Sequence, residues 1–403
     1  MSRPRLSRLL AVTHEATITG APINLAHFLE WVTANTDVEV HTLALRDGPL
    51  VPRFRNIGDV TVLDRSSPAK ALSIVQQGLL HLGSSRAWKP VARARLRPQL
   101  RHLAGFDAVY LNSAASVDVV DHLPGADFVI SHVHELQVAL RTAPPHQKAA
   151  FRERPDLWIA ASDAVRRALV EESEVPDGQV AVHHEFIDAQ ALSGRSPDPR
   201  ETARLRREAD IPDGAAVVVG AGTLDWRKGP DLFIQLAGEV QRRSRERVTF
   251  VWIGGETKGT DWERLRADLE RTGADVRFTG LKLDPFPWFA MADVFALTSR
   301  EDPFPLVCLE HAAMGCPIVT YRNGGMVELL EAAGADAARG IVDYLDVGAM
   351  ADRVIDLLVS ADLRRSVGTA LQQRVVEEHD VSVAAPRLLA EIEGAMAARV
   401  RSV

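Results

Sequence analysis

The sequence predicts an α/β protein built as two doubly wound parallel sheets facing each other across a cleft. Short apolar runs alternate with helical segments along most of the chain, the pattern of parallel strands joined by crossover helices. The alternation breaks over DAQALSGRSPDPR, from Asp188 to Arg200, where small residues, prolines and charges replace apolar periodicity, and a linker is expected there. After it the alternation restarts with no short-period repeat, which argues for two similar domains rather than a solenoid. The boundary is set at 1–190 and 191–383.

Composition narrows the function classes. A chain of 403 residues, 46% of them hydrophobic, can bury sizeable cores. Its formal net charge of −7 argues against a general nucleic-acid binder, although local basic faces stay open. The two cysteines, Cys308 and Cys316, lack any metal-ligand or framework spacing and are expected to be reduced core residues. No run approaches the ~18 apolar residues of a membrane span, and the opening MSRPRLSRLLAVTH has too short an apolar stretch for a signal peptide. A cytoplasmic location is expected.

In the first half, Leu9 to Thr13 reads as a buried strand, followed by a loop with His14, Glu15, Thr17 and Thr19. Gly20-Ala21-Pro22 then opens a helix whose core face is Leu25, Phe28, Leu29 and Val32. A glycine at that place lets a ligand phosphate approach, or it simply starts a helix. Further strands are expected at Val38 to Leu45, Val60 to Leu63, Ala108 to Asn112, Phe128 to His132, Leu157 to Ala161 and Val180 to His183. Doubly wound sheets bind ligands beyond the carboxyl ends of their strands, which here carry Asn112-Ser113, His132-Val133-His134-Glu135 and Ser162. His132 and His134 project to one side of an extended chain, and His183-His184-Glu185 offers a second group. Neither has a third ligand at suitable local spacing, so structural, hydrogen-bonded histidines are expected and no metal site.

From Ser84 to Leu103, Lys89, Arg93, Arg97 and Arg101 recur every four residues beside the apolar row Trp88, Ala92, Leu96 and Leu100. Pro90 and Pro98 can interrupt this helix, so its continuity stays open. Two readings stand: a solvated face over a core stripe, and a surface for an anionic membrane.

In the second half, strands are expected at Ala216 to Val219, Val248 to Ile253, Val276 to Thr279, Val294 to Leu297 and Ile318 to Tyr321, with helices from Leu345 to the end. Gly220-Ala221-Gly222-Thr223 lacks the third glycine of a dinucleotide fingerprint, since position 225 is Asp. It leads instead into Trp226-Arg227-Lys228-Gly229, cations that can hold a diphosphate without a metal. The glycines of Ile253-Gly254-Gly255-Glu256 and Phe278-Thr279-Gly280-Leu281 can admit a flat base, or they are plain turns. The stretch from Leu297 to Leu330 carries the densest signal. Pro303 and Pro305 hold Asp302 just before a helix beginning near Phe304 or Leu306, and Glu310 lies inside that helix. Two such carboxylates can face one crevice, because ~8 helical residues span only about 12 Å. Gly315 ends the helix, Pro317 to Tyr321 forms a strand, and Asn323-Gly324-Gly325 turns into another helix from Met326 with bare backbone N–H groups suited to an anion.

The run Asp302-x7-Glu310, Gly315-Cys316-Pro317, Gly324-Gly325 and Glu328 resembles the signature of retaining glycosyltransferases of family 4, which have the GT-B fold of two Rossmann-like domains. It departs from the Glu-x7-Glu pattern only by an aspartate at the first acid. The resemblance is strong over 216–330 and moderate over 10–30 and 128–190. It implies that the final helix, about 384–403, returns to the first domain, which faces the acceptor, while the second binds the nucleotide sugar. It further implies that Glu310 holds the ribose, Asp302 the transferred sugar, Arg227 and Lys228 the departing diphosphate, and that Gly20 closes on it. Gly254 and Leu281 would bracket the base, Gly222 and the Phe304-Pro305-Leu306 turn would complete the donor site, and His134 would line the sugar pocket. The implied enzyme moves a sugar from a UDP- or GDP-sugar to an acceptor hydroxyl on a glycan or lipid-linked molecule, in cell-surface glycan or glycolipid synthesis. It would need no cofactor or metal. Apart from the resemblance, the row Lys89, Arg93, Arg97 and Arg101 leaves open a peripheral contact with the inner face of a membrane, beside the reading as a solvated face. Two rivals remain: a non-catalytic sugar-nucleotide-binding module, and a GT-B epimerase or hydrolase.

Overall fold

The computed structural model describes residues 6–63, 88–125 and 127–402. The chain divides into two compact units, Met1–His184 with Ala384–Val403, and Glu185–Val383.

The first unit is a seven-stranded parallel sheet in the order β3-β2-β1-β4-β5-β6-β7. Its strands are β1 (Arg8–Thr13), β2 (Glu39–Ala44), β3 (Asp59–Val62), β4 (Ala108–Leu111), β5 (Val129–Val133), β6 (Leu157–Ala160) and β7 (Val180–Val182). The central strands are apolar on both faces because helices cover both, and Leu9, Leu10, Ala11 and Val12 of β1 are fully buried. The strand order reverses between β1 and β4, which opens a crevice at their carboxyl ends. Into that crevice leads the helix Gly20–Asn35, which starts after an extended Thr19 without a side-chain cap. Its Phe28 packs on Tyr110 of β4 with ring centres 5.7 Å apart.

The helix Trp88–Leu100 runs unbroken through Pro98, which resolves the question its prolines left open. Pro90 lies in the first turn, where its missing N–H has no partner to lose, and Pro98 lies in the last. Leu96 and Leu100 are buried and Arg97 and Arg101 exposed, so this described part of the apolar row faces inward. Residues 84–87 of this segment, and the side chains of Lys89 and Arg93, lie outside the described residues.

The second unit is a six-stranded parallel sheet in the order β10-β9-β8-β11-β12-β13. It comprises β8 (Ala216–Ala221), β9 (Val248–Ile253), β10 (Val276–Phe278), β11 (Val294–Leu297), β12 (Ile318–Tyr321) and β13 (Ile341–Val342). Its order also reverses, here between β8 and β11. Every strand expected from the sequence is present, and β13 is an addition. The expected linker is not irregular. Asp188 accepts a hydrogen bond from Ala191 N–H (3.0 Å) and caps a helix Ala189–Gly194. Asp198, with Pro199 at the first helical position, starts the helix Pro199–Glu208. Residues before the first of these helices are anchored within the unit, since Ile187 N–H donates to His379 O (3.0 Å) and Val381 N–H to Ile187 O (2.8 Å). The last helix, Val381–Ser402, begins in this unit, and from Ala384 onward it belongs to the first. Among the described residues no helix is long and apolar enough to cross a membrane.

Candidate functional site

In the second unit, the loop after β8 and the loop after β11 interlock at the switch point. Arg300 N–H donates to Arg227 O (2.7 Å), and Thr298 Oγ1 donates to Gly229 O (3.0 Å). Gly229 has φ +67°, and a Cβ there would lie 2.2 Å from Thr298 O, so only glycine lets the two loops meet. Gly324 does the same for the loop after β12: with φ +63°, its Cβ would lie 1.9 Å from Asp302 O. The Asn323 amide donates to Ser299 O (3.1 Å) and Arg300 O (2.7 Å). Three strand ends are thereby locked into one rigid patch.

The patch presents two cations and one buried acid. Lys228 Nζ lies 2.6 Å from Asp302 Oδ2 and Arg227 Nη1 3.6 Å from Asp302 Oδ1. Ser299 Oγ donates to Asp302 Oδ2 (2.9 Å), and Arg227 Nη1 donates to Glu301 O (3.1 Å). Burial alone would raise the Asp302 pKa; the charges of Lys228 and Arg227, with the hydrogen bonds from Lys228 and Ser299, outweigh it and hold the carboxyl below its ordinary range. Beside them Arg300 grips Asp231 through two hydrogen bonds of 2.9 and 2.6 Å and donates to Trp226 O (2.9 Å). Its guanidinium also sits 5.4 Å from the Trp226 ring, which is more than half exposed.

Glu310 lies in the helix Leu306–Ala313; the Phe304-Pro305-Leu306 turn that leads into it is buried, and Phe304 stacks on His379 at 5.2 Å. Part of the Glu310 side chain reaches solvent, yet its apolar surroundings push its pKa up to about 7. Its neighbour His311 is wholly buried between Phe289 and Phe295, at 4.4 and 4.1 Å, and burial drives its pKa down to about 4. At the next strand ends, Gly254 N–H donates to Gly280 O (3.0 Å), joining the turns after β9 and β10, and Leu281 stands exposed beside them.

In the first unit, His134 Nε2 donates to Asn112 Oδ1 (3.1 Å), and Asn112 Nδ2–H donates to Ala21 O (2.9 Å). The turn after Gly20 and the end of β5 are thus tied through the end of β4. Glu135 accepts from the Ser113 hydroxyl and from His134 N–H (2.9 Å). His132 is fully buried against the Tyr110 hydroxyl, and burial, with His134 and His183 nearby, holds it well below its ordinary pKa. His183 Nε2 donates to Ala384 O (3.0 Å), and its pKa falls to about 4 by burial.

The expected residues therefore fall into groups. Arg227, Lys228 and Asp302 touch; Glu310 follows Asp302 in the next helix; Gly222 precedes the cations; Gly254 and Leu281 occupy adjacent strand ends; Gly20 and His134 share the crevice of the first unit. Sequence reasoning missed Ser299 and the Asp231–Arg300 pair. A polar residue just past an apolar strand, and an acid in the first turn after Pro230, were the available signals.

Residues 215–360 match the family described as glycosyl transferases group 1. A D-inositol 3-phosphate glycosyltransferase of Corynebacterium urealyticum is 35% identical over 220 residues, 53% of this chain and 50% of that one. A GDP-mannose-dependent alpha-(1-6)-phosphatidylinositol monomannoside mannosyltransferase of Mycolicibacterium smegmatis is 33% identical over 188 residues, 44% of this chain and 47% of that one. An alpha-galactosylglucosyldiacylglycerol synthase of Streptococcus pneumoniae is 36% identical over 125 residues, 30% of this chain and 32% of that one. The chain thus spans about half, or less, of these curated relatives. Among solved structures, Anabaena HepE in complex with UDP-glucose superposes with a TM-score of 0.71 at 18% identity, covering 98% of this chain and 100% of that one. WaaG, a glycosyltransferase involved in lipopolysaccharide biosynthesis, gives 0.69 at 13% identity, covering 95% and 99%. Residues 215–360 are thus similar to the glycosyl transferases group 1, and the two parallel-sheet units share the GT-B fold of the solved structures.

Proposed function

We propose that the chain is a retaining glycosyltransferase, moving a sugar from a UDP- or GDP-sugar to an acceptor hydroxyl on a glycan or lipid-linked molecule. The reading is carried by the Arg227-Lys228 pair, fixed at the switch point beside Asp302 and one helix away from Glu310. As the anomeric bond breaks, negative charge grows on the leaving phosphate, and cations already in place stabilise that charge more than the ground state. In a front-side attack the leaving phosphate oxygen takes the acceptor proton, which asks for no protein nucleophile and, with two cations present, for no metal. Relatives that act on D-inositol 3-phosphate, or depend on GDP-mannose, support this substrate class. The test is a panel of UDP-, GDP-, ADP- and TDP-sugars with and without candidate acceptors, following nucleoside diphosphate release. Release that depends on acceptor is expected. Equal release without acceptor would mean a hydrolase, and binding without release a non-catalytic module.

Glu310 gives this reading a pH signature. If its carboxylate accepts hydrogen bonds from the ribose, binding favours the ionised form, and with a pKa near 7 the free site is half protonated at neutrality. Nucleoside affinity should then rise several-fold between pH 6 and pH 8, and Glu310→Gln should flatten the profile. Stability runs the other way: the folded pKa lies above the unfolded one, so the native state loses stability as pH rises from about 4.5 through 7. Calorimetric titration with uridine and guanosine at three pH values reads the binding slope; the same slope in the variant would take Glu310 out of the ribose site.

A further inference from the structure

The first unit holds a cavity of about 270 Å³ lined in part by Glu135, the neighbour of His134. Its walls come from the turn Ala114-Ala115 after β4, the helix Gln137–Thr142, and the helix Pro145–Glu153. Leu140, Phe151 and Ser173 are buried at its base, while Ala115, Ala139 and Thr142 are exposed at its rim. The turn is strained: Ser113 has φ +154°, unusual for a residue with a side chain, and is held there by its bonds to Glu135 and to Ala115 N–H (3.1 Å). That strain directs Ala114 and Ala115 into the wall and puts Glu135 at the junction between the cavity and His134.

The two charged groups on the lining, and the Thr142 hydroxyl, are already engaged. Glu135 accepts from Ser113, from His134 N–H (2.9 Å) and from Ala114 N–H (3.3 Å), and Lys148 Nζ donates to Arg141 O (2.7 Å). What remains for a ligand is mainly alanine methyl, leucine and phenylalanine surface. A bare sugar would bury hydroxyls there without partners, whereas an apolar group gains from leaving water. The volume is just under the usual range for ligand pockets, from about 300 Å³ upward, and suits one ring or a short alkyl group.

We propose that this cavity receives the apolar body of the acceptor, an aryl or short alkyl group, and presents its hydroxyl beside Glu135 and His134. The inference rests on the transferase reading for the word acceptor, but the cavity can be tested without donor. The probe is 4-methylumbelliferone, an aryl hydroxyl, titrated into the full chain and followed by fluorescence anisotropy. Saturable binding is expected. It should weaken at least tenfold in Ala139→Trp and in Ala115→Leu, two rim positions that can change without disturbing the fold, while UDP and GDP binding stays within twofold. Absence of saturable binding, undiminished binding in both variants, or displacement by an equal concentration of myo-inositol would overturn the proposal. If the chain binds the probe but no nucleoside diphosphate, the cavity stands and the transferase reading falls; the reverse result has the opposite meaning.

Discussion

Asp302→Ala should cost about 3–5 kcal/mol of stability, the loss expected when one partner of a buried ion pair is removed. The Lys228 and Asp302 side chains are only 14% and 7% exposed, so the ammonium would be left without its counter-charge and with little water. Scanning calorimetry should register this as a fall of about 10 °C in melting temperature. Turnover should drop at least tenfold if the acid also holds the transferred sugar, because that contact strengthens in the transition state. Nucleoside diphosphate affinity should move the other way. The carboxylate competes with the phosphates for Lys228, and Asp302→Asn should tighten UDP or GDP several-fold. Affinity that falls together with turnover would show that the acid assists the phosphate site instead of competing with it. Asp302→Glu restores the acid of the family pattern, and unchanged donor choice in that variant would remove side-chain length as a determinant.

Arg227→Ala with Lys228→Ala should weaken nucleoside diphosphate by more than about 100-fold while leaving nucleoside almost unaffected, since charge-assisted contacts of about 1.5–3 kcal/mol each are lost. The same pair of changes leaves Asp302 buried without a cation and should also destabilise the fold. Adding Asp302→Asn to the double variant separates the two effects: stability should return and phosphate affinity should not. Equal weakening of nucleoside and nucleoside diphosphate in calorimetry would place the phosphates elsewhere.

Strands of the two sheets were readable because strands buried on both faces are continuous apolar runs, as in Val294 to Leu297, which is buried throughout. β13 has only two residues and no run to detect. The Asp188–Arg200 stretch misled because its acids and proline suggested a loop, although an aspartate cap and a proline at the first helical position are equally start signals. Within the site, residue types and strand ends singled out Arg227, Lys228, Asp302 and Glu310. What local sequence does not encode is that Asp302 points at Lys228, 74 positions away, or that Asn112 links His134 to Ala21. Those contacts come from β8 lying beside β11, and β1 beside β4, pairings set by the whole sheet.

The buried imidazoles of His132, His183 and His311 bear on how the chain fails in acid. Each is held neutral in the fold by burial, the last two down to about pH 4, whereas an unfolded histidine takes a proton near 6.5. Between those values these three unfolded imidazoles bind more protons than the native ones, so through them a fall in pH favours unfolding. The depressed Asp302 carboxyl adds its loss only lower, as pH falls through its own folded value. In acid, imidazole protonation therefore begins to erode stability before the Asp302 carboxyl does, while protonation of Glu310 works the other way over part of the same range.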